Sequence, residues 1–248
     1  MTDERWLPYR RARPQTRLRL FCFPFAGGSA SLFRGWQAQL PADVEVCAVQ
    51  LPGRERRFAE PLQTRLNDLV RELAEGIGGA LASPLAFFGC SMGGWVAFEL
   101  ARELRRRGRA TPVHLFVAAC PAPHIPDADQ DHTRTLDEWI AISRVRGDLD
   151  DELLANRDLL ELVFPMIAAD SAVTETHSYV DEAPLECPIT AFAATDDRRV
   201  PVESVRAWER HCGQTFRFEL VSGNHIFIKD HPEPVLETIA RELGSPTG

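Results

Sequence analysis

Lysine is nearly missing from this chain: Lys229 is the only one among 28 basic residues in 248, and the others are arginine. No dense basic patch with interleaved aromatics occurs, so nucleic acid is not an expected partner. No run of about 18 apolar residues occurs either, and no membrane partner or bilayer-spanning helix is expected. The stretch MTDERWLPYRRARPQTR carries arginines with no apolar core behind them, and does not read as a secretory signal. Cysteine appears six times, at 22, 47, 90, 120, 187 and 212, but never as CxxC or at metal-ligand spacing. Several of these lie inside apolar runs and read as buried free thiols. A reducing, cytoplasmic location is therefore expected, and no metal site. Internal repeats and low-complexity tracts are absent too.

What remains is an ordinary globular composition, 44% apolar and 26% charged, with length enough for one large α/β domain or two small ones. The net charge of −8 conceals an asymmetry. Residues 121–184 hold 15 acids against 4 arginines, a net of −11, which leaves +3 for the remainder. The middle segment is expected to form a separate layer, and the arginine-bearing body to suit an acidic partner.

Short apolar runs alternate with helical patterns, as in a mostly parallel sheet covered by helices. Strands are expected at LRLFCF (18–23), VEVCAV (44–49), LAFFG (85–89), VHLFVAA (113–119), CPITAFAA (187–194) and FRFEL (216–220). Helices are expected over 66–82, 92–107, about 202–211 and about 232–243, with Gly108 as a stop. The acidic segment shows helical pieces around 135–145, 150–163 and 166–177. This order predicts one doubly wound α/β domain over 1–248 with a helical insertion at about 121–184.

Two nucleophiles stand side by side in FFGCSMGGW, at Cys90 and Ser91. Gly89-Cys90-Ser91-Met92-Gly93 fits G-x-S-x-G, with an apolar strand before it and an amphipathic helix after it. A sharp strand-to-helix turn lifts the central residue above the sheet, and the glycines allow strand and helix to approach closely. Ser91 takes the apex. Cys90, one position earlier, reads as a small buried filler.

A serine hydroxyl needs a base, and the base an orienting carboxylate. His225, in VSGNHIF just past the strand 216–220, is the candidate base. His231 precedes a proline and reads as a cap or surface residue. His114 lies within a strand and reads as core; His177 lies in the insertion. The loop AATDDRRV offers Asp196 and Asp197 as the acid, and periodicity does not choose between them. Oxyanion stabilisation needs backbone N–H donors, expected from Met92 and from Ala26 in FPFAGGSA.

Together FPFAGGSASLF, VQLPGRERR, GCSMGGWVAFELARELR, PLECPITAFAATDDRRV and VSGNHIFI resemble the type II thioesterases, in order, over about residues 18–240. These are stand-alone α/β-hydrolases that serve polyketide synthases and non-ribosomal peptide synthetases. The resemblance implies an α/β-hydrolase fold with 121–184 as a lid, and a Ser91–His225–acid triad. The family pattern G-x-x-D-x-x-V, aligned on Val200, selects Asp197, although Ala194 replaces the glycine; Asp196 stays the weaker candidate. It further implies hydrolysis of acyl thioesters from the phosphopantetheine arm of carrier proteins, by a monomer without metal or organic cofactor. Carrier proteins are generally acidic, so docking is expected on the body, at Arg54, Arg56, Arg57 and the N-terminal arginines. The apolar insertion residues Trp139, Leu153, Leu154, Leu160, Phe164 and Met166 are expected to hold the insertion to the body. An esterase for free small esters is the alternative of the same class. A non-catalytic hydrolase-fold binder would be expected to lack the serine or the histidine, and both are present.

Overall fold

The apolar runs form β1 (Leu18–Phe23), β2 (Val44–Ala48), β3 (Leu85–Cys90), β4 (Leu115–Ala118), β5 (Ile189–Ala194) and β6 (Phe216–Val221). In a computed structural model, which describes residues 3–244 apart from 12, 14, 83, 127, 128, 148 and 150, they make one sheet in the order β2-β1-β3-β4-β5-β6. The omitted positions fall within the expected 1–248 domain, some of them in the 121–184 insertion, and lie outside the described residues. Every neighbouring pair is parallel. Parallel neighbours need crossover connections: α1 (Leu66–Gly76), α2 (Met92–Arg106) and α6 (Val202–Arg206) lie in three of them, and α7 (Glu233–Leu243) follows the last strand.

Strand periodicity sorts the core into two layers. Phe21, Phe23, Leu85, Phe87, Leu115, Val117, Ile189 and Ala191 face α1, α2 and α6. Their alternates Leu20, Cys22, Ala86, Phe88, Cys90, Phe116 and Phe192 face α7 and the short helical turns around Phe33 and Trp36. Burial on both faces explains why β3, β4 and β5 read as nearly continuous apolar runs, whereas β6 at the sheet edge is half-exposed and carries Arg217 and Glu219. From β1 the chain moves outward to β2, then crosses back to β3 on the other side of β1. The crevice at the carboxyl ends of β1 and β3 is thus a topological switch point, where open α/β sheets bind ligands.

Between β4 and β5 lie α3 (Leu136–Arg146), α4 (Asp151–Ala155) and α5 (Arg157–Glu175). Thr135 and Glu138 form a reciprocal capping box at the start of α3. Trp139, Leu154 and Leu160 build a small core of the insertion's own, with Leu153 and Phe164 packed against it, rather than a seam to the body. The expected break near 163–166 does not occur, because α5 runs through Pro165. The break comes at Asn156, whose side chain accepts the N–H of Leu159 and starts the helix. An internal proline costs a helix about 3 kcal/mol. Burial of Leu160, Ala172 and Val173 along α5 offsets that cost.

Candidate active site

β3 ends at Cys90 and α2 begins at Met92, leaving Ser91 alone to turn the chain. Ser91 sits at φ 51°, ψ −122°, a conformation side-chain-bearing residues rarely adopt. Its N–H donates to the carbonyl of Ala118, and its carbonyl accepts from Gly94, so the strain is held from both sides. A Cβ on Gly89 would stand 2.1 Å from the carbonyl oxygen of Gly93, and one on Gly93 would stand 2.2 Å from that of Phe23. No side chain fits at either position.

Ser91 Oγ lies 3.0 Å from His225 Nε2, and His225 Nδ1 lies 2.9 Å from Asp197 Oδ2. His225 is carried past β6, and Asp197 past β5. The other carboxylate oxygen of Asp197 accepts the N–H groups of Arg199 at 2.8 Å and Val200 at 2.9 Å. Burial pushes this carboxyl up. The hydrogen bond and charge of His225, with the two N–H groups, outweigh burial and hold it below the usual carboxylate range. Asp196 is exposed and accepts from Thr195 Oγ1. Geometry therefore separates two acids that spacing did not.

Cys90 is fully buried in the layer facing α7. Burial, and then the nearby charge of Asp197, push its thiol far above the ordinary range, so it holds no thiolate for attack. Among the other histidines, His114 is buried, bonds Thr190 Oγ1 at 2.9 Å and stacks on Phe116. His231 is exposed beside the start of α7. His177 packs its ring against Trp95.

The N–H of Met92 opens α2, and that of Ala26 lies in the loop after β1. Among the described residues, neither donates to an acceptor of the protein. Both residues line, with Ser91, a cavity of about 280 Å³. Trp95, Ile125, Pro126 and Val200 give it apolar walls, and Ser171 and Thr174 of α5 face it. Of the six apolar insertion residues singled out from the sequence, none lines this cavity.

The arginines expected to dock a partner part company here. Arg54 is 5% exposed and ion-paired to Asp170; Arg57 is 4% exposed, paired to Glu60 and lying over the ring of Trp6. Neither presents a free charge to a partner, and of the three only Arg56 is exposed. Of the N-terminal arginines, Arg10 and Arg19 pair with buried Glu45, while Arg11 and Arg13 are exposed.

Two ionic clusters were not visible in the sequence. One is Arg54–Asp170. In the other, Arg199 beside the acid loop meets Asp131 at 3.1 Å, and Arg146 of α3 pairs with the same carboxylate at 2.7 Å. The insertion is thereby tied to the loop that carries Asp197. Asp170 could have been suspected, since an acid within the apolar run MIAADSAV needs a buried partner.

Residues 18–243 match a family model described as "Thioesterase domain". The chain is 37% identical over 240 residues to the gramicidin S biosynthesis protein GrsT of Aneurinibacillus migulanus, covering 96% of this chain and 94% of that one. Among solved structures, the RedJ thioesterase of the prodiginine pathway in Streptomyces coelicolor superposes with a TM-score of 0.87 at 35% identity, covering 97% of this chain and 93% of that one. BorB, a type II thioesterase from the borrelidin biosynthetic cluster, gives 0.81 at 32% identity, with 95% and 94% covered.

Proposed function

The chain belongs to the thioesterase family, with the type II enzymes of non-ribosomal peptide and polyketide pathways and their α/β-hydrolase fold, and on that premise we propose that it hydrolyses acyl groups from the phosphopantetheine arm of carrier proteins. His225 Nε2 takes the hydroxyl proton as Ser91 Oγ attacks the thioester carbonyl. Asp197 holds the proton on Nδ1 and supports the imidazolium. The N–H groups of Ala26 and Met92 receive the developing oxyanion. The intermediate collapses by breaking the C–S bond, and His225 returns its proton to the leaving thiol. Water then attacks the acyl-Ser91 ester by the same steps, which releases the carboxylic acid and restores the hydroxyl.

The observation that carries this reading is the unbroken hydrogen-bonded chain from Ser91 through His225 to Asp197, with Ser91 lining a partly apolar cavity. Residues 121–184 are read as the lid of that cavity, with the acyl group entering beneath α5. No helix among the described residues is long and apolar enough to cross a membrane. The free thiols suit a cytoplasmic setting.

The test is turnover of a panel of acyl-loaded carrier proteins, with acyl-pantetheine and p-nitrophenyl esters alongside, by the wild type and by Ser91→Ala. Hydrolysis of the carrier-bound thioesters, lost in Ser91→Ala, is expected. Turnover of free esters without any preference for carrier-bound thioesters would favour a small-ester hydrolase instead.

A further inference from the structure

The Arg54 guanidinium grips both carboxylate oxygens of Asp170, at 2.6 and 2.7 Å. Its Nη1 also donates to the carbonyl of Gly28 at 3.1 Å. Asp170 Oδ2 accepts the N–H of Gly27 at 2.8 Å. One buried ion pair therefore holds the Gly27–Gly28 turn at two points, through an N–H and through a carbonyl. Gly27 is at φ 80° and follows Ala26 directly. A Cβ on Gly27 would stand 3.0 Å from Ile167 Cγ1, so α5 lies close against the turn.

The loop that carries Arg54 adds two more points of support. Gln50 Oε1 accepts the N–H of Ala30 at 3.2 Å, and Glu55 Oε1 accepts the hydroxyl of Ser29 at 2.7 Å. Glu55 does so at φ 47°, a left-handed conformation uncommon for a residue with a side chain. A buried ion pair is weak evidence of a need for stability, since apolar pairs of similar volume are often neutral or stabilising replacements. Holding a peptide plane in place is a different requirement, and this pair meets it.

The geometry points to Arg54 and Asp170 as positioning residues that aim the N–H of Ala26 at the oxyanion of the tetrahedral intermediate. Asp170 stands on α5 of the insertion, so the insertion completes the oxyanion site as well as covering it. This deepens the hydrolase reading and rests on Ala26 as a donor. Such a donor matters most when charge has developed, so its misplacement lowers kcat and leaves ground-state binding alone.

The experiment uses the double variant Arg54→Met/Asp170→Leu, which removes both charges together. Three quantities are read: kcat and KM on an acyl-pantetheine thioester; Ki of a trifluoromethyl ketone analogue, which forms an oxyanion on the serine; and Kd of the non-hydrolysable amide analogue. The expected result is a fall in kcat of about 100-fold, as for a reacting geometry displaced by about 1 Å. The ketone Ki should rise in step while the amide Kd stays within about threefold on the same argument. A folded double variant with unchanged kcat and ketone Ki overturns the proposal. So does an amide Kd that weakens in step with kcat, because the pair would then shape the pocket and not the donor. If the double variant does not fold, Arg54→Lys carries the same comparison: it keeps the charge and loses the two-pronged grip. Wild-type kcat and KM in Arg54→Lys then overturn the proposal. A wild type inert toward thioesters, or an active Ser91→Ala, would defeat the hydrolase reading itself and is scored separately.

Discussion

Replacing Asp197 by Asn changes one atom of the relay and reverses its polarity. Asp197 Oδ1 accepts two backbone N–H groups, from Arg199 and Val200, so in the variant that position must hold the amide oxygen. Turning the amide over would set its NH2 against both donors. Each donor left unsatisfied costs about 1–3 kcal/mol, so the amide does not turn. The NH2 then lies where Oδ2 lay, 2.9 Å from His225 Nδ1, and donates to it. Nδ1 becomes the acceptor and the ring proton moves to Nε2, which faces Ser91 Oγ at 3.0 Å. A nitrogen that already carries a proton cannot take one from the serine. The same tautomer error in a Ser-His-Asp protease lowers kcat by about 10⁴, equivalent to about 5 kcal/mol of barrier, and a loss of that order is expected here. The assay is kcat/KM on an acyl-pantetheine thioester, with Tm measured to show an intact fold. Asp196→Asn, altering the exposed neighbour, should stay within about twofold, as surface changes do. Asp197→Asn within tenfold of wild type, or Asp196→Asn as damaged as Asp197→Asn, would refute the reasoning.

Further perturbations probe the frame. Gly93→Ala places a Cβ 2.2 Å from the carbonyl oxygen of Phe23, at the end of β1; a loss of at least about 1–3 kcal/mol in stability and a large fall in activity are expected, whereas Gly35→Ala, which meets nothing within 4 Å, should be silent. Mild acid should destabilise the fold through two buried histidines. Burial lowers His114 to about 4, and burial followed by the charge of His124 lowers His211 to about 4, against an ordinary value of 6.5. Both are neutral when folded and bind protons when unfolded, so their stability is present above pH 6.5 and is lost as pH falls toward 4. The loss approaches about 3 kcal/mol for each at the acid end. Tm should slope downward across that window, and about half as steeply in His114→Gln, where His211 still contributes; a level wild-type Tm there would contradict the assignment. Arg56→Glu, the exposed member of its trio, should raise KM for an acyl-carrier protein and leave KM for acyl-pantetheine unchanged. An equal effect on both substrates would remove Arg56 from the docking surface.

Local signals carried much of the fold. The central strands β3, β4 and β5 announced themselves because burial on both faces leaves almost only apolar residues, and Gly89 and Gly93 marked a turn that excludes any Cβ. The G-x-S-x-G turn, with a histidine and an acid in the loops after later strands, narrowed the site to a few side chains. Long-range facts were less legible. In VQLPGRERR nothing distinguishes Arg54 and Arg57, which are buried, from Arg56, which is not, because the partner of Arg54 lies 116 residues away on α5. Asp196 and Asp197 differ only in which way the loop turns them, and that depends on the N–H groups of residues 199 and 200. The separation expected between the helical pieces 150–163 and 166–177 falls at Pro165, whose local cost is evident from sequence, whereas the packing that outweighs it is not.

The most direct measurement of the central claim is the site of acylation. Wild type and His225→Ala are mixed with an acyl-loaded carrier protein and quenched in acid within the first turnover. The peptide spanning residues 87–95 is then fragmented by mass spectrometry to separate position 90 from 91. The acyl mass is expected on Ser91 in the wild type and not on Cys90, with no adduct within the same interval in His225→Ala. An acyl group on Cys90, or full turnover in Ser91→Ala with no adduct at residue 91, would contradict that claim.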